Sequence, residues 1–470
     1  MIGQNALIQI LSTALSAVIT FFTLSFSARI FGPEILGNLA YLLSLTGLIF
    51  AFSDLGFSRA HTHYTAHSKN IGNNLGTFLT LKSILFLISS LLAVGYYLLS
   101  NAPSYWLLFS LIIVYEVLTR LSDSILITFE ALQQSLPQNL IKLIAKLFRL
   151  TAILFMAKIL VSDLGFGLTY IAEAVALIIL SLWLLTRFKP LGFNQPLANK
   201  YLFYSLPFFA IIPLSYLQTN SLVLILRKFQ PASEVGYYSA ANQLVGFIKT
   251  LYAAVMIYFF PKISQFHQQN NLPAVKNYAQ SAFRYLLTWF TPIFMVLYWF
   301  RQEVVLLILG PDFLPAVPVF AVFLLGIYLL MIIAPFDQVL FATKNHQPLV
   351  LVNLISLILA VLASWLLAPR FGAVSTVIAS IIAWVVSGVW HLILIKTRLK
   401  LKLLLNFPGL IIPAASLTLL TQLIINYFHP GFVLKLLLSG LTIILYLTSL
   451  FILKLITHQD IKYFKSVLKI

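Results

Sequence analysis

Residues 29–41 read Arg-Ile-Phe-Gly-Pro-Glu-Ile-Leu-Gly-Asn-Leu-Ala-Tyr, and residues 227–239 read Arg-Lys-Phe-Gln-Pro-Ala-Ser-Glu-Val-Gly-Tyr-Tyr-Ser. Arg29, Phe31 and Pro33 recur at one constant offset as Arg227, Phe229 and Pro231, and Gly37 recurs one residue further on as Gly236. Each copy interrupts a long apolar run. Proline fixes its own φ and disfavours helix at the residue before it, so Gly32-Pro33 ends one helix and separates it from the next.

Outward from these turns the chain is apolar almost throughout. Of 470 residues, 60% are hydrophobic and 9% are charged, with a mean hydropathy of +0.97. A soluble domain carries about 25% charged residues, so the bilayer must be the solvent for most of this surface. A spanning helix needs about 20 apolar residues. The pattern predicts spans over 6–29, 35–55, 77–99, 105–129, 139–160, 164–186, 203–226, 236–260, 283–308, 314–341, 347–367, 373–395, 405–426 and 432–454. Turn signals part them at Gly32-Pro33, Asn101-Ala102-Pro103, Ser135-Leu136-Pro137, Gly310-Pro311 and His429-Pro430-Gly431. The runs are too long and continuous for barrel strands, which alternate with period two.

Six spans separate the two copies of the turn, so both face the same way. The expected fold class is therefore all-α integral membrane, with about 14 transmembrane helices: two six-helix bundles in pseudo-twofold parallel repeat plus two C-terminal helices. The bundles fall at 1–190 and 203–400, joined by a cytoplasmic linker at 191–202. Helices 13 and 14 occupy 401–456, and a basic tail occupies 457–470. No Lys or Arg precedes Arg29, so the first run is expected to be a span and not a cleaved signal peptide. With the N-terminus inside, Lys and Arg of the loops and span edges divide 20 inside to 7 outside. That asymmetry predicts both termini in the cytoplasm. It also accounts for the net charge of +18 without a nucleic-acid partner. Lys462, Lys465 and Lys469 of the tail suit an amphipathic anchor on an anionic leaflet.

Four stretches carry a family resemblance. Ala28 to Gly37 resembles the first inter-span turn of polysaccharide-repeat-unit flippases (the Wzx type), members of the MATE-like multidrug/oligosaccharidyl-lipid/polysaccharide exporter superfamily. Asp54-Leu55-Gly56-Phe57-Ser58 is similar to the end of their second span, Glu234 to Ala241 to the opening of their eighth, and Leu309 to Ala316 to the turn before their tenth. The resemblance implies alternating-access flipping of an undecaprenyl-pyrophosphate-linked oligosaccharide across the bacterial cytoplasmic membrane, for O-antigen, capsule or similar surface polysaccharide. A polysaccharide polymerase and chain-length proteins are the implied protein partners. The alternatives are a lipid II flippase or a drug/cation antiporter of the same superfamily, or a membrane polysaccharide polymerase or ligase. A drug antiporter should present carboxylates to its substrate. A polymerase or ligase should carry a large outer loop, whereas the longest outer connection here is only about ten residues.

Ionisable groups inside spans are costly and are functional candidates by default. Glu116, Arg120 and Asp123 share one helical face, as do Lys142, Lys146 and Arg149 on the next span. An antiparallel hairpin would set Asp123 level with Arg149 and Glu130 level with Lys142. The two readings are a salt-bridged scaffold and a cationic cavity wall for a pyrophosphate, with Lys249 and Arg284 supplying the facing half. Arg29 is similar in motif position to a cavity arginine of lipid II flippases, and its edge position suits an interfacial anchor. Asp54, Glu173 and Asp337 are the candidates for ion coupling. His61, His63 and His67 are expected in a solvated loop rather than at a metal. With no cysteine there is no disulfide or thiolate site. No Walker A loop, dinucleotide fingerprint, HExxH or GxSxG occurs, so the chain is read as a secondary or facilitated transporter without cofactor, and not an enzyme.

Overall fold

Gly32 takes φ 73° and ψ 176°, and the long helix that contains it is two helices meeting at a sharp break. The computed structural model describes residues 2–66, 68, 70–99, 105–209, 211–256, 259–343, 348–401, 407–453 and 455. The Asn101-Ala102-Pro103 turn, His67 and the tail lysines lie outside them.

The described residues are helical, without strands. In chain order the helices are α1 (Ile2–Ile49), α2 (Phe57–Thr65), α3 (Ile71–Leu99), α4 (Trp106–Ala131), α5 (Ser135–Ile159), α6 (Asp163–Leu185), α7 (Gln195–Ser205), α8 (Ile211–Phe229) and α9 (Ala232–Met256). There follow α10 (Phe259–Gln268), α11 (Leu272–Trp299), α12 (Arg301–Leu309), α13 (Val317–Ala342), α14 (Leu349–Arg398), α15 (Phe407–Phe428) and α16 (Phe432–Ile452). Among the described residues, each of the fourteen apolar stretches is helical over most of its length. Seven helices among the described residues are long and apolar enough to cross a membrane, or nine when each of two bent pairs counts once. Two of the seven each hold two expected spans, α1 broken at Gly32 and α14 broken at Gly372 (φ 51°). The breaks at Gly310 (φ 96°) and His429 (φ 43°) fall where the turn signals stood. Helices α4, α5 and α9 have span length (26, 25 and 25 residues) but carry the charged and amide side chains described below. The stretch read as a plain linker holds α7, capped where the Asn194 side chain accepts from Leu197 N at 3.0 Å.

The chain forms two compact units: 1–244 with 308–319 and 357–379, and 245–307 with 320–356 and 380–470. In the first, α6 packs against both α4 and α5, and α1 against α5 and α8. Leu126, Phe129, Ile141 and Leu177 fill the space among α4, α5 and α6. In the second, one core joins Ile263, Val275, Phe336 and Leu394, and another joins Trp299, Leu410 and Tyr446. Large apolar side chains also face outward, such as Trp183 (64% exposed), Leu366 (72%) and Leu437 (62%). Apolar exposure on this scale marks a lipid-facing surface.

The two copies of the recurring turn meet inside the first unit. A Cβ on Gly37 would fall on the Ala232 carbonyl, and a Cβ on Gly236 would fall on the Pro33 carbonyl. Each glycine thus packs against the backbone four residues before the other. Such reciprocity is what a twofold relation between two like elements produces.

Candidate functional site

The hairpin expectation pairs α4 with α5. The two helices touch, but each packs mainly on α6, and the charges pair differently from the expected levels. Asp123 pairs with Lys142 at 3.1 Å, near the surface. Arg149 does not meet Asp123; it reaches across to Glu173 on α6 at 3.3 Å. Glu130 is exposed and is not Lys142's partner. Arg120 stays on its own helix, its Nε donating to Glu116 at 2.7 Å and its Nη1 reaching the Tyr216 hydroxyl at 3.5 Å.

Lys146 is different. Its Nζ donates to the Ser16 hydroxyl at 2.5 Å and the Thr20 hydroxyl at 3.1 Å on α1. Among the described residues it forms no ion pair with a carboxylate. One turn on, the Arg149 guanidinium lies 3.5 Å from the centroid of the Tyr170 ring, and its buried Nε has no hydrogen-bond partner among the described residues.

Arg149 and Thr20 both line a cavity of about 240 Å³ in the first unit. Its other polar lining comes from Thr23, Ser27 and Ser44 on α1, Tyr170 on α6, Thr219 and Asn220 on α8, and Tyr238, Ser239, Asn242 and Gln243 on α9. Arg149 is the one charged group among these described lining residues. Ser27 Oγ is also buried, with no hydrogen-bond partner among the described residues. The wall is thus hydroxyls and amides around a guanidinium with a spare donor, which suits sugar hydroxyls and an anion. Sequence reasoning singled out Lys146 and Arg149 as candidates and did not single out this neutral wall. Its signal was present: Ser16, Thr20, Thr23 and Ser27 follow a four-three-four spacing, one stripe along an otherwise apolar helix.

The remaining candidates lie elsewhere. Asp54 is paired with Lys82 at 2.8 Å and also accepts from the Ser58 hydroxyl. Lys249, Arg284 and Asp337 belong to the second unit. Lys249 lies 5.9 Å from the Trp384 ring centroid, and Arg284 lies 5.6 Å from that of Tyr285. Asp337 Oδ1 stands 2.8 Å from Nδ1 of His391, a partner that the sequence did not suggest. Nδ1 does not form an aligned hydrogen bond there. Arg29 Nε donates to the Ile308 carbonyl at 3.4 Å. His61 corrects the solvated-loop reading: it is 0% exposed on α2, stacked on Phe78, with Tyr201 Oη at 3.1 Å and Thr128 Oγ1 at 2.9 Å. Burial pushes its pKa down to about 3.

A family model described as polysaccharide biosynthesis protein matches residues 2–267, more than half of the chain. The chain belongs to the polysaccharide biosynthesis protein family. No curated protein matches it in sequence. Solved structures share the fold of this family member. A lipid II flippase MurJ in an inward closed conformation aligns with a TM-score of 0.76 at 16% identity, over 96% of this chain and 100% of that one. An inward-facing multidrug resistance MATE family transporter of the MOP superfamily gives 0.60 at 13% identity, over 82% and 96%. A MOP superfamily transporter from Pyrococcus furiosus Vc1 gives 0.56 at 11% identity, over 84% and 95%. The polysaccharide biosynthesis protein thus has a multi-pass membrane transporter fold.

Proposed function

We propose that this chain flips a polyprenyl-pyrophosphate-linked oligosaccharide across the bacterial cytoplasmic membrane by alternating access. The observation that carries the proposal is the pairing of Lys146 with hydroxyls instead of a carboxylate, beside the Arg149 cavity. A diphosphate leaving the headgroup region needs a cation, because an unpaired charge in low dielectric is prohibitively costly. The sugar needs a polar wall, and the polyprenyl tail can stay in lipid. A drug-cation antiporter fits less well, since Glu173 beside this cavity is already neutralised by Arg149.

Of the six candidate cations, Lys146 and Arg149 form the core of the site. Arg120 and Lys142 are held by Glu116 and Asp123; they act as scaffold. Lys249 and Arg284 remain the proposed contribution of the second half. The six-helix halves at 1–190 and 203–400 and the cytoplasmic termini stand as part of the same proposal. Among the candidate coupling carboxylates, Asp54 and Glu173 are each held by a cation, Lys82 and Arg149. Asp337 faces His391 instead. We therefore assign ion coupling to Asp337, beside His391.

The test is Lys146→Gln with membrane level checked. Gln keeps an N–H donor directed toward Ser16 and Thr20, on a side chain one bond shorter, but not the charge. Export of surface polysaccharide should collapse and the lipid-linked intermediate should accumulate on the inner side. A well-expressed variant that exports normally removes Lys146 from the site.

A further inference from the structure

The recurring turn, which supplied the first clue to the fold, also builds a second cavity. About 480 Å³ in volume, it is lined by Asn38 and Tyr41 from the first copy and by Arg227 and Lys228 from the second, with Tyr96 of α3 and Tyr105 before α4 completing the wall. The reciprocal Gly37 and Gly236 contacts hold the two copies together. Arg227 is half-buried, and one Nη donates to the Gln230 carbonyl at 3.3 Å. That uses one of its five N–H groups. Lys228 lies 4.2 Å from the Trp365 ring centroid. Asn38 Nδ2 donates to the Asp163 carboxylate at 3.1 Å.

Three tyrosines offer flat faces with hydroxyls at their edges, and an arginine offers a fork for phosphate oxygens. The volume falls in the usual range for small-ligand sites. In the orientation expected from the Lys and Arg asymmetry, this end faces outside, away from the loading side. We propose that the Tyr41–Tyr96–Tyr105–Arg227 cavity is a second glycosyl-pyrophosphate site, which holds the translocated head group before release. It rests on the flippase reading above. An anionic lipid head group shares the phosphate chemistry but has no sugar ring to stack on the tyrosines.

The chain has no cysteine, so Leu224→Cys, on the cavity wall, is a sole thiol reporter. Its alkylation by a membrane-impermeant maleimide is timed on the full chain in phosphatidylcholine nanodiscs. The probes are farnesyl-diphosphate-linked N-acetylglucosamine, farnesyl diphosphate, and phosphatidylglycerol added to the disc. The sugar-linked probe should slow alkylation at the lowest concentration. Arg227→Gln should raise the concentration needed by roughly tenfold or more, the loss of a charge-assisted contact, and Arg227→Lys should restore part of it. Tyr41→Ala or Tyr96→Ala should erase the preference for the sugar-linked probe over farnesyl diphosphate. The proposal is overturned if the thiol does not react, if protection survives Arg227→Gln unchanged, or if phosphatidylglycerol protects as well as the sugar-linked probe. Protection is read without transport. Its absence with Lys146→Gln still export-defective refutes the outer site alone. Its presence with Lys146→Gln exporting normally refutes the Arg149 cavity alone.

Discussion

Arg149 and Glu173 should separate a scaffold from a binding site. Their side chains are 19% and 18% exposed and stand 3.3 Å apart. Removing one partner of a buried pair costs roughly 3–5 kcal/mol; partial exposure and the long contact place Arg149→Gln near the lower end, with about 1 kcal/mol more for the lost Tyr170 contact. Arg149→Gln alone should therefore lose stability and export together, which is uninformative. The double variant Arg149→Gln/Glu173→Gln replaces two charges with two amides that can bond each other. Its melting temperature in detergent should stay close to that of the parent, because neutral replacement of a buried pair is often tolerated. Export should still fall by roughly 10- to 100-fold, the worth of about 1.5–3 kcal/mol of charge-assisted hydrogen bonding to an anion. The assay is surface polysaccharide per unit of membrane-inserted protein, alongside accumulation of the lipid-linked intermediate. A double variant that melts and exports like the parent would refute the binding role and leave Arg149 as scaffold.

Three further outcomes are expected. Asp337→Asn, which removes the carboxylate beside His391, should fold and lose the dependence of transport on a pH gradient across proteoliposomes; unchanged dependence would rule this residue out. His61 is held uncharged, with its pKa depressed to about 3 from an ordinary value of about 6.5. Its contribution to stability should be complete above pH ~6.5 and be lost as pH falls toward 3, at about 1.4 kcal/mol per unit; His61→Gln should flatten that part of the melting-versus-pH curve. Gly37→Val or Gly236→Val drives a side chain into the carbonyl of Ala232 or Pro33 and should cost about 1–3 kcal/mol or more, whereas Gly47→Ala meets only the Asn220 side chain at 3.5 Å and should melt within about 0.5 kcal/mol of the parent; equal melting of all three would contradict the reciprocal packing.

The helices were legible because bilayer spans announce themselves by apolar length, and because Gly32, Gly310 and His429 break them in conformations with positive φ. The neighbours of each helix were less legible. Adjacency in sequence suggested a face-to-face pair for α4 and α5; they touch, but each packs mainly on α6, where Arg149 meets Glu173. Charge drew attention to Lys146 and Arg149. The neutral wall at Thr20, Thr23 and Ser27 carries no such mark beyond its periodicity, and Asn220, Asn242 and Gln243 arrive from α8 and α9, distant in sequence. His61 looked solvated because the loop around it is polar. Its burial depends on Thr128 and Tyr201, which pattern reading along 57–65 does not see.

The central claim is best tested by flipping itself. The purified chain is reconstituted into vesicles containing a polyprenyl-pyrophosphate-linked disaccharide that bears a fluorophore on the sugar, and an impermeant quencher is added outside. In protein-free vesicles only the outer-leaflet pool should quench. With the chain present both pools should quench, and the Lys146→Gln chain should resemble protein-free vesicles. Quenching confined to the outer pool with the parent chain, or equal flipping of a fluorophore-labelled phosphatidylcholine, would contradict the account.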